Sequence, residues 1–319
     1  MERLLTHPAI VAGLSKVESR IERLSGSSTL PGINAGAERI IQAGGKRLRP
    51  ALTLGTVLAF GKAADRRAVT AAACIELIHA ASLIHDDLMD GASQRRGTPT
   101  LNATLGQGKA LVIGDFILAR AGLAAITAVS KPVAEVLAAT TVELAEGQYL
   151  EAVDQFNRDR TEESALRSIT GKTAALFRAS CLVGALCAKA SPEERAKMAV
   201  YGEKFGLVFQ ILDDLLDLTL SSETLGKPAG NDVRQSVYTL PLLRARGADP
   251  HLLDGDAETI LARVRDSGIV DDTLAYCRDL AAQAVDALPA AKDVGLLADL
   301  PGSYIAKAAD MISTRARAA

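Results

Sequence analysis

Tryptophan is absent from the chain, and tyrosine and phenylalanine together bring the aromatic share to only 3%. Sheet proteins lean on aromatic and β-branched residues, so this scarcity argues against a β-rich core. Cysteine is sparse as well: Cys74, Cys181, Cys187 and Cys277 show neither CxxC spacing nor a neighbouring histidine set. That excludes a disulfide framework and a zinc site of the usual spacing, and it predicts buried free thiols in a reducing compartment. No excess of one charge exists either, since the formal net charge is −2. A general basic surface for nucleic acid is excluded, and any anion must be met by local clusters. The opening MERLLTHPAIVAGLSK lacks the basic start, apolar core and small-residue cleavage site of a secretory signal. The longest apolar runs, such as Ala71–Ile84, are broken by Glu76 and His79 and read as too short to span a bilayer. The expectation is a cytoplasmic protein with no stable membrane insertion and no nucleic-acid partner.

What is present favours helices. Hydrophobic residues make up 48% of the chain, and alanine and leucine run through nearly every segment. Prolines and glycines gather at 31–36, 44–50, 91–99, 226–230 and 247–255, and no proline falls between Pro132 and Pro192. Between these breaks, apolar residues recur at three- and four-residue spacing, as helices with a buried face require. The pattern predicts an all-α protein of ten or more helices with no strand run, and with no linker that would divide residues 1–319.

One pattern occurs twice. SLIHDDLMDG carries Asp86, Asp87 and Asp90, and QILDDLLDLT carries Asp213, Asp214 and Asp217. Each follows an apolar helical stripe, and the first and third aspartates lie about a turn apart on one side. Like charges at that spacing repel, and the cost beside apolar sequence is greater unless a cation neutralises them. Hard divalent cations take oxygen ligands, and Mg²⁺ commonly uses one or two carboxylates plus substrate phosphates. A single such triplet could be a solvated acidic helix end; two copies point to metal-diphosphate binding.

Cationic residues supply the complementary charge. GGKRLRP places Lys46, Arg47 and Arg49 just after Gly44 and Gly45, whose bare backbone lets N–H groups approach an anion. Arg95 and Arg96 follow the first aspartate triplet on a tight loop, and arginine's planar fork suits phosphate oxygens. Lys172, before Thr173, and Lys227 between Gly226 and Pro228 add further cationic points.

These motifs resemble the trans-polyprenyl diphosphate synthase family, in the family's order, from Gly44 to Pro241. The resemblance rests on GGKRLRP, LIHAASLIHDDLMD with RRG after it, GD at Gly114-Asp115, GQYLE from Gly147, GKTA from Gly171, FQILDDLLD from Phe209 and LGKPAGND from Leu225. It implies one helical bundle around a deep central cavity, usually homodimeric, and three Mg²⁺ ions between the aspartate clusters and an allylic diphosphate. It further implies Asp86, Asp90 and Asp213 as direct ligands, with Asp87, Asp214 and Asp217 direct or water-mediated. Arg95, Lys172 and Lys227 take the place of the clamp on the allylic diphosphate. Gly45, Lys46, Arg49, His79 and Arg96 take that of the isopentenyl diphosphate site, and Thr173 and Gln210 flank the reacting carbons. The chain departs from the family at Val237, where a second lysine is frequent, and at Glu151, where some short-chain members have aspartate.

The activity so implied is transfer of a prenyl group from an allylic diphosphate to isopentenyl diphosphate. Neither His79 nor His85 is expected to act as the base. Product length should depend on what stands beneath Asp86: Ser82 and Ala81 are small, and Ile78 and Ile75 deeper down are of middling size. Each helical turn adds about 5.4 Å of depth, so the expectation is a product of C20 or longer. Two alternatives stay open, a class I terpene cyclase and a non-catalytic or regulatory subunit of a heteromeric synthase.

Overall fold

The computed structural model describes residues 1–95, 97–220 and 230–318, with residues 248, 265, 266 and 315–318 as backbone alone. The chain is all-α, as its composition predicts. Its N-terminal part comprises α1 (Glu2–Thr6), α2 (Pro8–Ser25), α3 (Pro31–Gln42), α4 (Leu48–Ala59) and α5 (Arg66–Met89). After a small hairpin come α6 (Leu101–Leu105), α7 (Gln107–Ala128), α8 (Lys131–Val153) and α9 (Glu162–Ile169). A π-helical turn, Thr170–Ala174, leads into α10 (Ala175–Cys187), which is followed by α11 (Pro192–Thr219). The C-terminal part holds α12 (Asn231–Arg234), α13 (Leu240–Ala248), α14 (Ala257–Asp266), α15 (Ile269–Asp286) and α16 (Gly295–Ala318).

Local chemistry starts the longest helices. Asp65 accepts the Ala68 N–H at 2.8 Å and caps α5. Ser191 and Glu194 form a reciprocal capping box at α11, with Pro192 in the first helical position. Because α5 is apolar on all sides over most of its length, it sits inside the bundle, against α2, α4, α7 and α10. In turn α10 packs on both α5 and α11. Gly202 and Gly206 let α11 lie almost on the α10 backbone: a side chain at Gly202 would come within 2.7 Å of the Phe177 carbonyl. The two aspartate-bearing helices are thus held through one intermediary.

Five of the eleven aromatics gather in one cluster. Phe177, Tyr201, Phe205, Phe209 and Tyr304 join α10, α11 and α16, with ring centroids 5.0–6.4 Å apart. None stands on α5. The cysteines are all free, and burial pushes each thiol up to about 12.

Two features differ from the sequence reading. A two-rung antiparallel hairpin pairs Gln94–Arg95 with Thr98–Pro99, too short for strand alternation to register. Also, α5 and α7 are long and apolar enough by composition to cross a bilayer, where the sequence reading judged the apolar runs too short. The interruptions at Glu76 and His79 do not end α5. That helix is mostly buried in the protein, whereas α7 leaves an apolar side uncovered.

Candidate active site

The structure divides the six aspartates into two sets of three. Asp86 is half-buried, while Asp90, at the C-cap of α5, and Asp213, on α11, are exposed. Asp87, Asp214 and Asp217 are buried, at 3%, 5% and 2% exposure. Each buried carboxylate is held by a neighbour. Arg95 donates to Asp87 at 2.7 Å, Gln210 Nε2 donates to Asp214 at 2.7 Å, and the Asp232 N–H donates to Asp217 at 3.2 Å. Consecutive aspartates on a helix point about 100° apart, which is how one member of each pair is anchored inside while the other faces outward.

Lys172 stands beside the first cluster. It lies on the π-helical turn, a feature often found at functional sites because it re-aims side chains within a helix. That turn passes α8 at close range: a side chain at Gly147 would come 2.2 Å from the Lys172 nitrogen, and one at Gly171 would come 2.7 Å from the Glu143 carbonyl. The approach brings Lys172 Nζ onto Glu151 of α8, with which it forms an ion pair. Burial alone would lower the Lys172 pKa, yet Glu151, Asp86 and Asp90 together hold it above the usual lysine value. Burial raises the carboxyl of Asp86, opposed by Lys172 and Arg95 and reinforced by Asp90 and Glu151. Burial likewise raises Asp90.

Glu151 acts on the second cluster as well. The Asp214 carboxyl is raised well above the usual range, first by burial, then by Asp232, with Asp213 and Glu151 adding to the effect. One side chain, Glu151, therefore acts electrostatically on carboxylates of both α5 and α11. Thr173, buried beside Lys172, donates to Gln210 Oε1 at 2.7 Å, so Thr173, Gln210 and Asp214 form a continuous hydrogen-bonded chain.

The GGKRLRP motif separates into two functions. Arg47, left-handed at the start of α4, spans Glu18 at 2.5 Å and Glu76 at 2.8 Å, pinning the loop to α2 and α5. Lys46 and Gly45 are exposed beside it, and among the described residues Lys46 has no ion-pair partner. Arg49 lies 3.3 Å from His79 Nε2 and stacks over the Phe177 ring at 4.5 Å. Sequence reasoning placed Lys46, Arg49 and His79 together and did not find Glu18 and Glu76, whose partnership with Arg47 spans 29 residues. Asp232 was missed too, although the motif LGKPAGND contains it.

Other residues stand as follows. His85 lies 3.4 Å from Asp115 on α7. Ile75, Ile78 and Ala81 are buried on α5, and Ser82 turns its hydroxyl to the His79 carbonyl at 2.9 Å. The Val237 N–H donates to the Asp232 carbonyl at 2.8 Å, a turn that needs no particular side chain there. Arg96 and Lys227 lie outside the described residues.

Among the described residues, no three acidic, histidine or cysteine side chains converge closely enough to cage an ion. The donors nevertheless fit Mg²⁺: they are carboxylate oxygens, partly desolvated and mutually repelling, and Mg²⁺ takes few protein ligands and fills its shell with phosphate and water.

Residues 31–272 match the polyprenyl synthetase family model. The chain belongs to this family. It is 36% identical over 308 residues to heptaprenyl diphosphate synthase component 2 of Geobacillus stearothermophilus, covering 92% of this chain and 95% of that protein. The fold matches that of a decaprenyl diphosphate synthase from Rhodobacter capsulatus with a TM-score of 0.87 at 32% identity, covering 96% of this chain and 99% of that one. A polyprenyl synthase from Caulobacter crescentus CB15, complexed with calcium and isoprenyl diphosphate, matches equally well at 0.87 and 32%, over 96% and 97% of the two chains. This polyprenyl synthetase is accordingly an all-α prenyltransferase.

Proposed function

We propose that this chain condenses isopentenyl diphosphate with an allylic diphosphate and releases a polyprenyl diphosphate of C20 or longer. What supports this reading is that Glu151, paired with Lys172, acts electrostatically on Asp86 and Asp90 of α5 and on Asp214, the neighbour of Asp213, on α11. Asp86, Asp90 and Asp213 would hold the Mg²⁺ ions, three by family resemblance, through oxygens that already face outward. Magnesium, when bound there, neutralises charge on the departing pyrophosphate. The chain's own contribution is electrostatic and positional. Lys172 keeps its charge and meets the allylic diphosphate; Asp87 orients Arg95 towards the same anion. Asp214 and Thr173 lock both ends of the Gln210 amide, fixing its direction beside the reacting carbons. Lys46, Arg49 and His79 form a second cationic site for isopentenyl diphosphate. No catalytic histidine is invoked, because departing pyrophosphate accepts the proton.

The wall beneath Asp86 supports a long product. On α5, Ala81, Ile78 and Ile75 descend from the metal end with no aromatic side chain among them. Ala81→Phe should shorten the product; an unchanged product spectrum would contradict this assignment.

A homodimer is supported by the uncovered faces of α7 and α8, which pack side by side. Leu111, Val112, Leu123 and Ile126 on α7 and Val142, Tyr149 and Val153 on α8 are between 48% and 72% exposed. An apolar surface that continues over two helices, with small Gly108, Ala119 and Gly122 between the larger residues, suits a second copy in the cytosol. Leu123→Asp should halve the mass measured by light scattering.

A relative named component 2 keeps a heteromeric alternative in view. The deciding experiment incubates the purified chain alone with Mg²⁺, labelled isopentenyl diphosphate and each allylic primer. Chain elongation supports the proposal; no turnover without a partner favours the subunit reading. Release of a hydrocarbon without consumption of isopentenyl diphosphate favours a cyclase.

A further inference from the structure

A second concentration of positive charge lies at the other end of α5, about 30 Å from Asp86 at 1.5 Å per residue. Lys16, Arg20 and Arg23 of α2 meet Arg66 at the start of α5 and Arg120 of α7. Among the described residues, none of these side chains has an acidic partner within 4.0 Å. The Nε atoms of Arg20 and Arg120 are shut off from solvent with no hydrogen-bond partner, an expensive state for a guanidinium N–H. Burial first, then Arg23, Arg66 and Arg120, holds the Arg20 pKa below its usual value, and only Cys74 acts the other way.

This charge borders open space. A cleft of about 390 Å³ is lined by Lys16, Arg23 and Arg66 together with the Ser15 and Ser19 hydroxyls. Asp65, also on its wall, is engaged by the Ala68 N–H as the α5 cap. A second cleft of about 410 Å³ shares Lys16 and Ala64 with the first and continues along Ile10, Gly13, Leu54 and Leu58. One half of the combined groove is cationic and the other is mainly apolar with Lys62 also on its wall, and each half is within the size range of ligand pockets.

We propose that this groove binds a phosphate-bearing amphiphile, with the headgroup among Lys16, Arg23 and Arg66 and the tail along Ile10, Leu54 and Leu58. The shared chemistry is a phosphorylated lipid, met either as a free molecule or as the headgroup of an anionic membrane surface. The inference rests on none of the catalytic assignments, so its failure would leave them intact.

The test uses the full chain in EDTA, so that carboxylate-bound metal does not recruit the probe. One arm titrates dodecyl phosphate below its micelle concentration by calorimetry. The other sediments the protein with vesicles of phosphatidylglycerol and phosphatidylcholine. Wild type is compared with Arg23→Ala/Arg66→Ala and, in case that double variant folds poorly, with Lys16→Gln at an exposed unpaired position. Binding of dodecyl phosphate that weakens at least tenfold in the variants supports the groove and a free ligand. Binding to vesicles alone, with the same loss, supports the groove and a membrane source. Equal binding by wild type and variants, or binding on neither arm, overturns the proposal.

Discussion

Gly147→Ala tests how Lys172 is positioned. An added methyl would lie 2.2 Å from the Lys172 nitrogen and 2.7 Å from the Gly171 carbonyl carbon, both backbone atoms that cannot rotate away. Ordinary contact begins near 3.4 Å, so α8 and the π-helical turn must separate by about 1 Å. Overpacking of this kind costs about 1–3 kcal/mol, a fraction of the roughly 5–15 kcal/mol that holds a domain folded. The variant should therefore fold, with a melting temperature lowered by roughly 2–5 °C. Activity should suffer more, because a displacement of about 1 Å in a positioning element costs on the order of 100-fold. Circular dichroism melts and kcat/KM for labelled isopentenyl diphosphate measure the two effects separately. Gly302→Ala on α16 is the control, since its methyl would meet nothing within 4 Å. Full activity in Gly147→Ala would refute the claim that this close pass aligns Lys172.

Arg47→Ala should lower stability by about 3 kcal/mol, because it leaves Glu76, 8% exposed, as a buried charge without its partner; a urea midpoint unchanged from wild type would contradict this. Asp214 binds its proton more readily in the folded chain, so above 3.8 its ionisation works against folding until the raised folded pKa is passed. Metal-free wild type should accordingly lose stability relative to Asp214→Asn as the pH rises above about 4, and a constant difference would count against the burial described here. With every thiol pushed up to about 12, a disulfide exchange reagent at pH 8 should modify the native protein slowly and all four cysteines after denaturation. Rapid native labelling would show that these sites are open.

The helical fold was legible because composition and apolar spacing act locally along the chain. The aspartate clusters were legible for a different reason: acidic residues beside apolar stripes are costly, and a repeated cost signals a use. Their division into outward and anchored members was suggested only by the family resemblance and not by residue spacing, since Asp87 and Asp214 depend on Arg95 and Gln210 having the right direction. Arg47 and Arg49 read alike in sequence, yet one is paired with Glu18 and Glu76 and the other stacks on Phe177. Those partners are distant in the chain. The π-helical turn left no trace, because an inserted residue scarcely disturbs helical spacing, and the exposure of α7 was hidden because hydropathy does not say what covers a surface.

The central claim is that carboxylates on α5 and α11 serve one metal-diphosphate assembly. Crystals grown with Mn²⁺ in place of Mg²⁺ and an unreactive allylic diphosphate analogue would show the ions directly by anomalous scattering. The account predicts manganese within coordination distance of Asp86 and Asp90 on one side and of Asp213 on the other, bridged by the diphosphate. Metal confined to one cluster, with the diphosphate bound elsewhere, would contradict it.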